Sequence, residues 1–219
     1  VYVQLMDGFG QMTETRSASI TINPPRKAVV SIGWAYDDVA PGCVFDSGLG
    51  INRMNYSATA RTFVWDSGED AGTVVKGDSV NFNEDIRVGG ATTGDDSGMY
   101  PDSVLEKYVR YNGFPQNTYG HRTASIHLSP GTYRLRLFCS LNSTYKNSTE
   151  FMKVQTVVDG VANVFELPDG YDVIGNLTRW LEQEITVPES GMFELQWGME
   201  NATKGWMEVP LNIIEIEET

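Results

Sequence analysis

Gly77-Asp78-Ser79-Val80 follows an apolar Val74-Val75 pair, a setting that would suit a nucleophilic serine. Such a serine needs a histidine to take its proton. Only His121 and His127 are available, and neither has an aspartate three residues before it. The alternating strands and helices of an α/β hydrolase are also missing, so this stretch reads as a surface turn. Paired carboxylates could instead run glycoside hydrolysis. Asp37-Asp38, Asp66 with Glu69-Asp70, and Asp95-Asp96 are the obvious clusters. Neighbouring residues on a strand point to opposite faces, so Asp37 and Asp38 cannot aim at one bond unless the chain bends. In a chain with 29 acidic residues, solvated loops account for such clusters. The sequence predicts no catalytic residue and no enzyme.

Two non-catalytic chemistries suit the same residues better. Calcium takes six to eight oxygen ligands from carboxylates and carbonyls, and Gly-rich loops expose carbonyls well. Asp95 and Asp96, within Gly94-Asp95-Asp96-Ser97-Gly98, are the first candidates for a structural Ca2+, and Asp37 and Asp38 the second. No EF-hand spacing is present. Sugar binding needs a flat aromatic face for pyranose C–H groups and fixed polar groups for the hydroxyls. Trp34, Tyr36, Tyr100, Tyr119, Trp180 and Trp206 fall in turn-rich stretches and are the candidate ligand-binding aromatics. Trp206 follows the polar stretch Asn201-Ala202-Thr203-Lys204-Gly205 and is placed at a loop tip. Trp197 and Tyr133 lie in alternating strands and are assigned to the core.

The elements that must position these groups are strands. Tyr133, Leu135, Leu137 and Cys139 share one face opposite Arg134 and Arg136, while Phe193, Leu195 and Trp197 oppose Glu194 and Gln196. Further strands are expected at Ala28–Ile32, Thr62–Trp65, Ser125–Leu128, Phe151–Val158, Val161–Leu167, Glu184–Val187 and Leu211–Ile216. Ser129-Pro130-Gly131 and Pro188-Glu189-Ser190-Gly191 are turns. One short helix is expected over Asp102–Val109, capped by Asp102. The fold class is therefore all-β: an antiparallel β-sandwich with one short helix. Residues 1–25 read as a terminal hairpin plus a proline linker, because Val1, Val3 and Leu5 alternate, Asp7-Gly8-Phe9-Gly10 turns, and Asn23-Pro24-Pro25 ends the run. The pattern begins in mid-strand at Val1, which predicts an excised piece or a processed form. Residues 26–219 make the sandwich.

Charge narrows the partners. The 219 residues carry 29 acidic and 16 basic side chains, a formal charge of -13. Such a surface repels phosphate backbones and anionic membranes, so nucleic acid is excluded as a partner. No apolar run is long enough to predict membrane insertion. Cys43 and Cys139 form no metal-ligand spacing and read as small buried residues. Asn55, Asn142, Asn147, Asn176 and Asn201 open Asn-x-Ser/Thr triplets, which places those stretches at the surface.

Several segments, in order, carry a family resemblance: Val30-Ser31-Ile32-Gly33, Ala40-Pro41-Gly42 with Asn55-Tyr56 and Ala60–Trp65, Pro101–Val109, Leu128-Ser129-Pro130-Gly131-Thr132-Tyr133-Arg134-Leu135, and Pro210–Ile216. Together they resemble the galactose-binding-like, malectin-like jelly-roll modules that accompany glycan-degrading enzymes. The opening hairpin resembles the last strands of a fibronectin type III or immunoglobulin-like module. Trp34 and Tyr36 depart from the small residues usual after the first strand, and the Asn142–Asn147 insert is long. The resemblance implies a non-catalytic carbohydrate-binding module of a secreted or surface glycan-processing protein. It implies poly- or oligosaccharide as ligand, often a structural calcium, an extracellular or cell-surface location, and neighbouring domains in a larger chain. The same fold serves equally as a structural or adhesion module of a surface, phage-fibre or capsid-decoration protein.

Overall fold

The computed structural model describes residues 24–40, 42–77, 86–113, 119–142, 149–201 and 207–219, together with two short paired stretches near the N-terminus. These stretches are β1 (Tyr2–Val3) and β2 (Arg16–Ser17), which pair antiparallel with each other. The strands that follow are β3 (Lys27–Ser31), β4 (Cys43–Asp46), β5 (Ile51–Met54), β6 (Arg61–Val64), β7 (Asp70–Lys76) and β8 (Ile86–Val88). A helical turn, α1 (Asp102–Leu105), leads into β9 (Lys107–Gly113), β10 (Tyr119–Leu128) and β11 (Gly131–Phe138). Then come β12 (Met152–Val158), β13 (Val161–Val164), β14 (Leu181–Val187), β15 (Met192–Glu200), β16 (Met207–Leu211) and β17 (Ile213–Glu218).

Two six-stranded sheets face each other. The first has the order β14-β11-β17-β3-β5-β4, and the second β13-β12-β15-β10-β7-β6. All pairings are antiparallel except β3 with β5. A three-stranded sheet, β16-β9-β8, prolongs the first layer, because β16 runs through Asn212 into β17. The expected all-β sandwich with one short helix is thus the observed architecture. No helix of the described residues is long and apolar enough to cross a membrane.

Alternation decides which face each strand buries. Leu135, Leu137, Ile214, Ile216 and Val30 point inward from the first sheet, and Ile126, Phe193, Leu195, Trp197 and Val154 from the second. Trp197 is fully buried and meets Tyr56 edge-on at 5.7 Å, while Tyr133 stacks on Trp65 at 6.4 Å. Tyr133 also donates its hydroxyl to the Ser129 carbonyl at 2.8 Å, closing the Ser129-Pro130-Gly131 turn that joins the two sheets. Both cysteines are free thiols, and burial pushes Cys43 up to about 11 and Cys139 up to about 12, so neither is a ready thiolate.

The helix is shorter than the sequence suggests. It ends at Leu105, and Lys107–Gly113 becomes β9, paired to β16 on one side and β8 on the other. Tyr108, Val109 and Tyr111 are β-prone, and two neighbouring strands supply hydrogen bonds that an isolated two-turn helix cannot match. The expected strand over Leu211–Ile216 is likewise broken at Asn212. That side chain donates to the Leu105 carbonyl at 2.8 Å and accepts the Ser140 N–H at 2.7 Å.

Candidate functional site

The outer face of the first sheet is occupied by the protein itself. Val29, Ile51, Phe138 and Ile213 point outward there and pack with Trp34, Trp180, Val104 and Leu105 into a second core. Trp34 is 7% exposed, its indole N–H bonded to Ser31 Oγ at 2.9 Å and its ring flanked by Arg53 and Lys107. Trp180 is 9% exposed and packs on Phe138 at 5.4 Å and Tyr100 at 6.2 Å. The Tyr100 hydroxyl donates to Glu215 at 3.2 Å, and burial beside that carboxylate pushes the phenol well above its usual range. Beside this core the register lines up charges of alternating sign. One row runs Glu182–Arg136–Glu215, and the next Glu184–Arg134–Glu217–Lys27. Of the candidate sugar-binding aromatics, Trp34, Trp180 and Tyr100 are therefore brought together, as packing under the α1 segment and not as a row on the surface.

The metal candidates lie in turns. Asp37 and Asp38 lie, exposed, in a 3-10 turn at Tyr36–Asp38, so the chain does bend at that pair; of Tyr36 only the backbone is described. Asp95 Oδ1 accepts the Ser97 N–H at 3.1 Å and Asp96 Oδ1 accepts the Asp102 N–H at 2.7 Å. Asp102, expected as the helix cap, makes no cap bond because Pro101 holds that position, and it accepts from Thr93 and Gly94. Carboxylates bonded in this way fasten a loop. Among the described residues no group of three or more His, Cys, Asp or Glu is placed to hold a metal.

These turn carboxylates make a prediction about acid stability. A backbone N–H bond from Thr93 holds Asp102 below the usual carboxylate range, side-chain and backbone bonds from Ser97 hold Asp95 there, and the Arg26 guanidinium holds Glu218 there. A carboxylate lowered on folding contributes stability above its unfolded pKa, about 4, and loses it as pH falls through the lower folded value. The melting temperature should fall as pH drops from about 5 to about 3. Asp102→Asn should melt lower at neutral pH and show a shallower acid decline. An equally steep decline in the variant would exclude this loop as its source.

The second sheet presents its outer face differently. On β10 the outward residues are Tyr119, His121, Thr123, Ser125 and His127; on β15 Glu194, Gln196, Gly198 and Glu200; on β12 Lys153, Gln155 and Val157. Register places Thr123, Gln196 and Gln155 side by side across three strands, and Ser125, Glu194 and Val157 in the next row. Gln155 Nε2 donates to Gln196 Oε1 at 2.7 Å, and Gln196 Nε2 to Glu194 at 3.0 Å. Tyr119 stacks on His121 with ring centres 4.5 Å apart and planes at 19°. Its hydroxyl donates to the Lys153 carbonyl at 3.2 Å, and the Lys153 ammonium, paired with Glu200 at 2.7 Å, lies 4.9 Å from the ring centre. Burial raises the Tyr119 phenol, so it stays a neutral donor. The result is a row of amides and hydroxyls headed by one aromatic pair, with Thr123 and Gln155 buried and Gln196, Ser125, Tyr119 and His121 part-exposed.

Among the candidates whose side chains are described, Tyr119 alone lies on the outer face of the second sheet, where it is half-buried. Gln155, Gln196, Thr123, Ser125 and His121 were not singled out, because a polar residue alternating with apolar ones reads as ordinary solvent face. Their grouping depends on pairing residues 41 apart in sequence. Trp206, Ser79, Asp78, Val80 and Asn147 lie outside the described residues. Of the other triplet asparagines, Asn176 is buried and donates to the Cys139 and Arg179 carbonyls, and Asn55 donates to Trp34, so neither stretch offers a free amide. Asn142 and Asn201 are exposed.

Fold and site define an antiparallel β-sandwich with one outer face closed by its own loop and a second lined by hydrogen-bonding side chains. Comparison with protein-family models and with curated proteins gives no match.

Proposed function

We propose that this chain is a non-catalytic carbohydrate-binding accessory module of a secreted or cell-surface glycan-processing protein, with the outer face of β10, β15 and β12 meeting a poly- or oligosaccharide. The observation that supports this is the group of part-exposed polar side chains, Gln196 and Ser125, beside the stacked Tyr119–His121 pair, with Gln155 and Thr123 buried in the same row. Amides and hydroxyls at sheet spacing match sugar hydroxyls, and an aromatic ring matches a pyranose face. Within a molecule of charge -13, a neutral glycan is a better electrostatic match than an anionic one.

A second reading, a structural or adhesion module, is favoured by a different observation. Every large exposed apolar residue among those described is Leu, Val or Met, and both described candidate tryptophans are buried. One experiment separates the two: a glycan array followed by calorimetry on Gln196→Ala and Tyr119→Ala. Each variant is expected to weaken sugar binding about fivefold to tenfold, the equivalent of about 1 kcal/mol per lost contact. Silence across plant, algal, host and microbial glycans would sink the carbohydrate reading in favour of the structural one. Binding kept in both variants but lost in Trp206→Ala would keep the function and move the site.

A further inference from the structure

We infer that β13 is the docking edge for a second copy of this chain. The β12–β13 hairpin turns through Asp159-Gly160, whose φ values of 48° and 78° are those of a tight two-residue turn. Its register pairs Val158 with Val161 and Gln155 with Val164. The Phe165 N–H donates to the Val154 carbonyl at 2.9 Å, which marks that pair as hydrogen-bonded. Bonded and non-bonded pairs alternate along an antiparallel ladder. The main-chain groups of Val161, Asn163 and Phe165 therefore face β12, and those of Ala162 and Val164 face away from the sheet.

Among the described residues no strand pairs with the outer side of this edge. β13 is the outermost strand of the second sheet and all its residues are exposed, Val161 by 61% and Val164 by 50%. Leu167 and Met192, near the same hairpin in sequence or across it, add exposed apolar surface. Proteins usually blunt such edges with charge or proline. The other outermost strands follow that rule: β6 carries Arg61, β4 carries Asp46, and β14 carries Glu182 and Glu184. Val161-Ala162-Asn163-Val164 has neither device.

The edge also fits itself. A two-fold axis through Asn163 sets Ala162 opposite the partner's Val164, so the outward N–H and C=O groups of both strands bond each other. Asn163 meets its own copy, Val161 meets the partner's Phe165, Gly160 the partner's Glu166, and Asp159 the partner's Leu167. No carboxylate faces a carboxylate in this register. Such an axis stands perpendicular to the sheet, so one continuous sheet would carry both β10–β15–β12 faces on the same side. Two weak sites held together in this way gain avidity without any new contact.

Oligomeric state tests the inference independently of any sugar. With -13 on each copy, long-range repulsion opposes association and salt should relieve it. Sedimentation equilibrium is expected to show a dimer whose dissociation constant falls as ionic strength rises from about 0.05 M to about 0.5 M. Ala162→Pro removes a donor that points away from β12 and leaves the hairpin ladder intact. It should weaken the dimer about tenfold or more with little change in melting temperature. Val164→Lys should do the same by setting a charge on the edge, and it decides the matter if the proline variant does not fold. A chain that stays monomeric at both salt concentrations would overturn the inference, as would dimers of undiminished strength in the folded variants.

Discussion

Trp180→Ala is expected to lose about 3–5 kcal/mol of folding stability and to change sugar affinity hardly at all. The ring is 9% exposed, packed against Phe138 and Tyr100, with the Arg136 guanidinium 4.7 Å from its centre and its N–H directed at Met99 Sδ at 3.0 Å. Alanine leaves a void bounded by the β11 backbone and the α1 segment, two elements that Asn212 pins from beneath. Neither can collapse inward, and an unfilled void is the condition under which a large-to-small change costs most. A typical domain is stable by about 5–15 kcal/mol, so the loss is a large share of the total. Urea unfolding should show a lower midpoint with an unchanged slope. Trp180→Phe should lose less, because a ring still fills most of the space. A midpoint unmoved in Trp180→Ala, joined to a loss of sugar binding, would mean that the indole faces ligand after all.

That variant also tests how far the sequence could be read. Alternation alone identified the sheet faces: Phe193, Leu195 and Trp197 do point into the core, and Glu194 and Gln196 do point out. It also located Tyr133 correctly, and the hydrogen bond to Ser129 explains why a tyrosine suits the turn between β10 and β11. Trp34 and Trp180 were harder, because they lie between strands. An aromatic in a turn-rich stretch reads the same whether its loop stands away from the body or folds back over a sheet. What settles it is the outward set Val29, Ile51, Phe138 and Ile213, four apolar residues on the wrong parity for the main core. Those positions signalled a covered outer face, but only once their strands had been placed side by side.

Helix boundaries failed for a related reason. Asp102–Leu105 does turn, yet Lys107–Gly113 is taken over by β8 and β16, partners that lie about 20 residues away on one side and about 100 on the other. The glutamine row was illegible on the same grounds. A binding face made by register has no local signature, whereas a core made by alternation has one on every strand.

The charged rows of the first sheet yield the other large effect. Arg136→Met is expected to cost about 3 kcal/mol at neutral pH, although it keeps most of the stem that lies over Trp180. The Glu215 side chain is 4% exposed and accepts from Arg136 Nη1 at 2.7 Å and from the Tyr100 hydroxyl at 3.2 Å, with Lys27 Nζ at 3.7 Å. Removing the guanidinium leaves a carboxylate under the α1 segment with one ammonium at longer range, and that ammonium is 43% exposed to water. Coulomb attraction at such a distance, screened on one side, does not replace a direct charge-assisted bond. Pairing Arg136→Met with Glu215→Gln removes the stranded charge and should restore about 2 kcal/mol of the loss, so the two substitutions should be far from additive. Strict additivity in urea unfolding of the two single variants and the double would show that the row is ordinary surface. Coupling of the expected size would show that the closed face is held shut by charge as well as by its tryptophans.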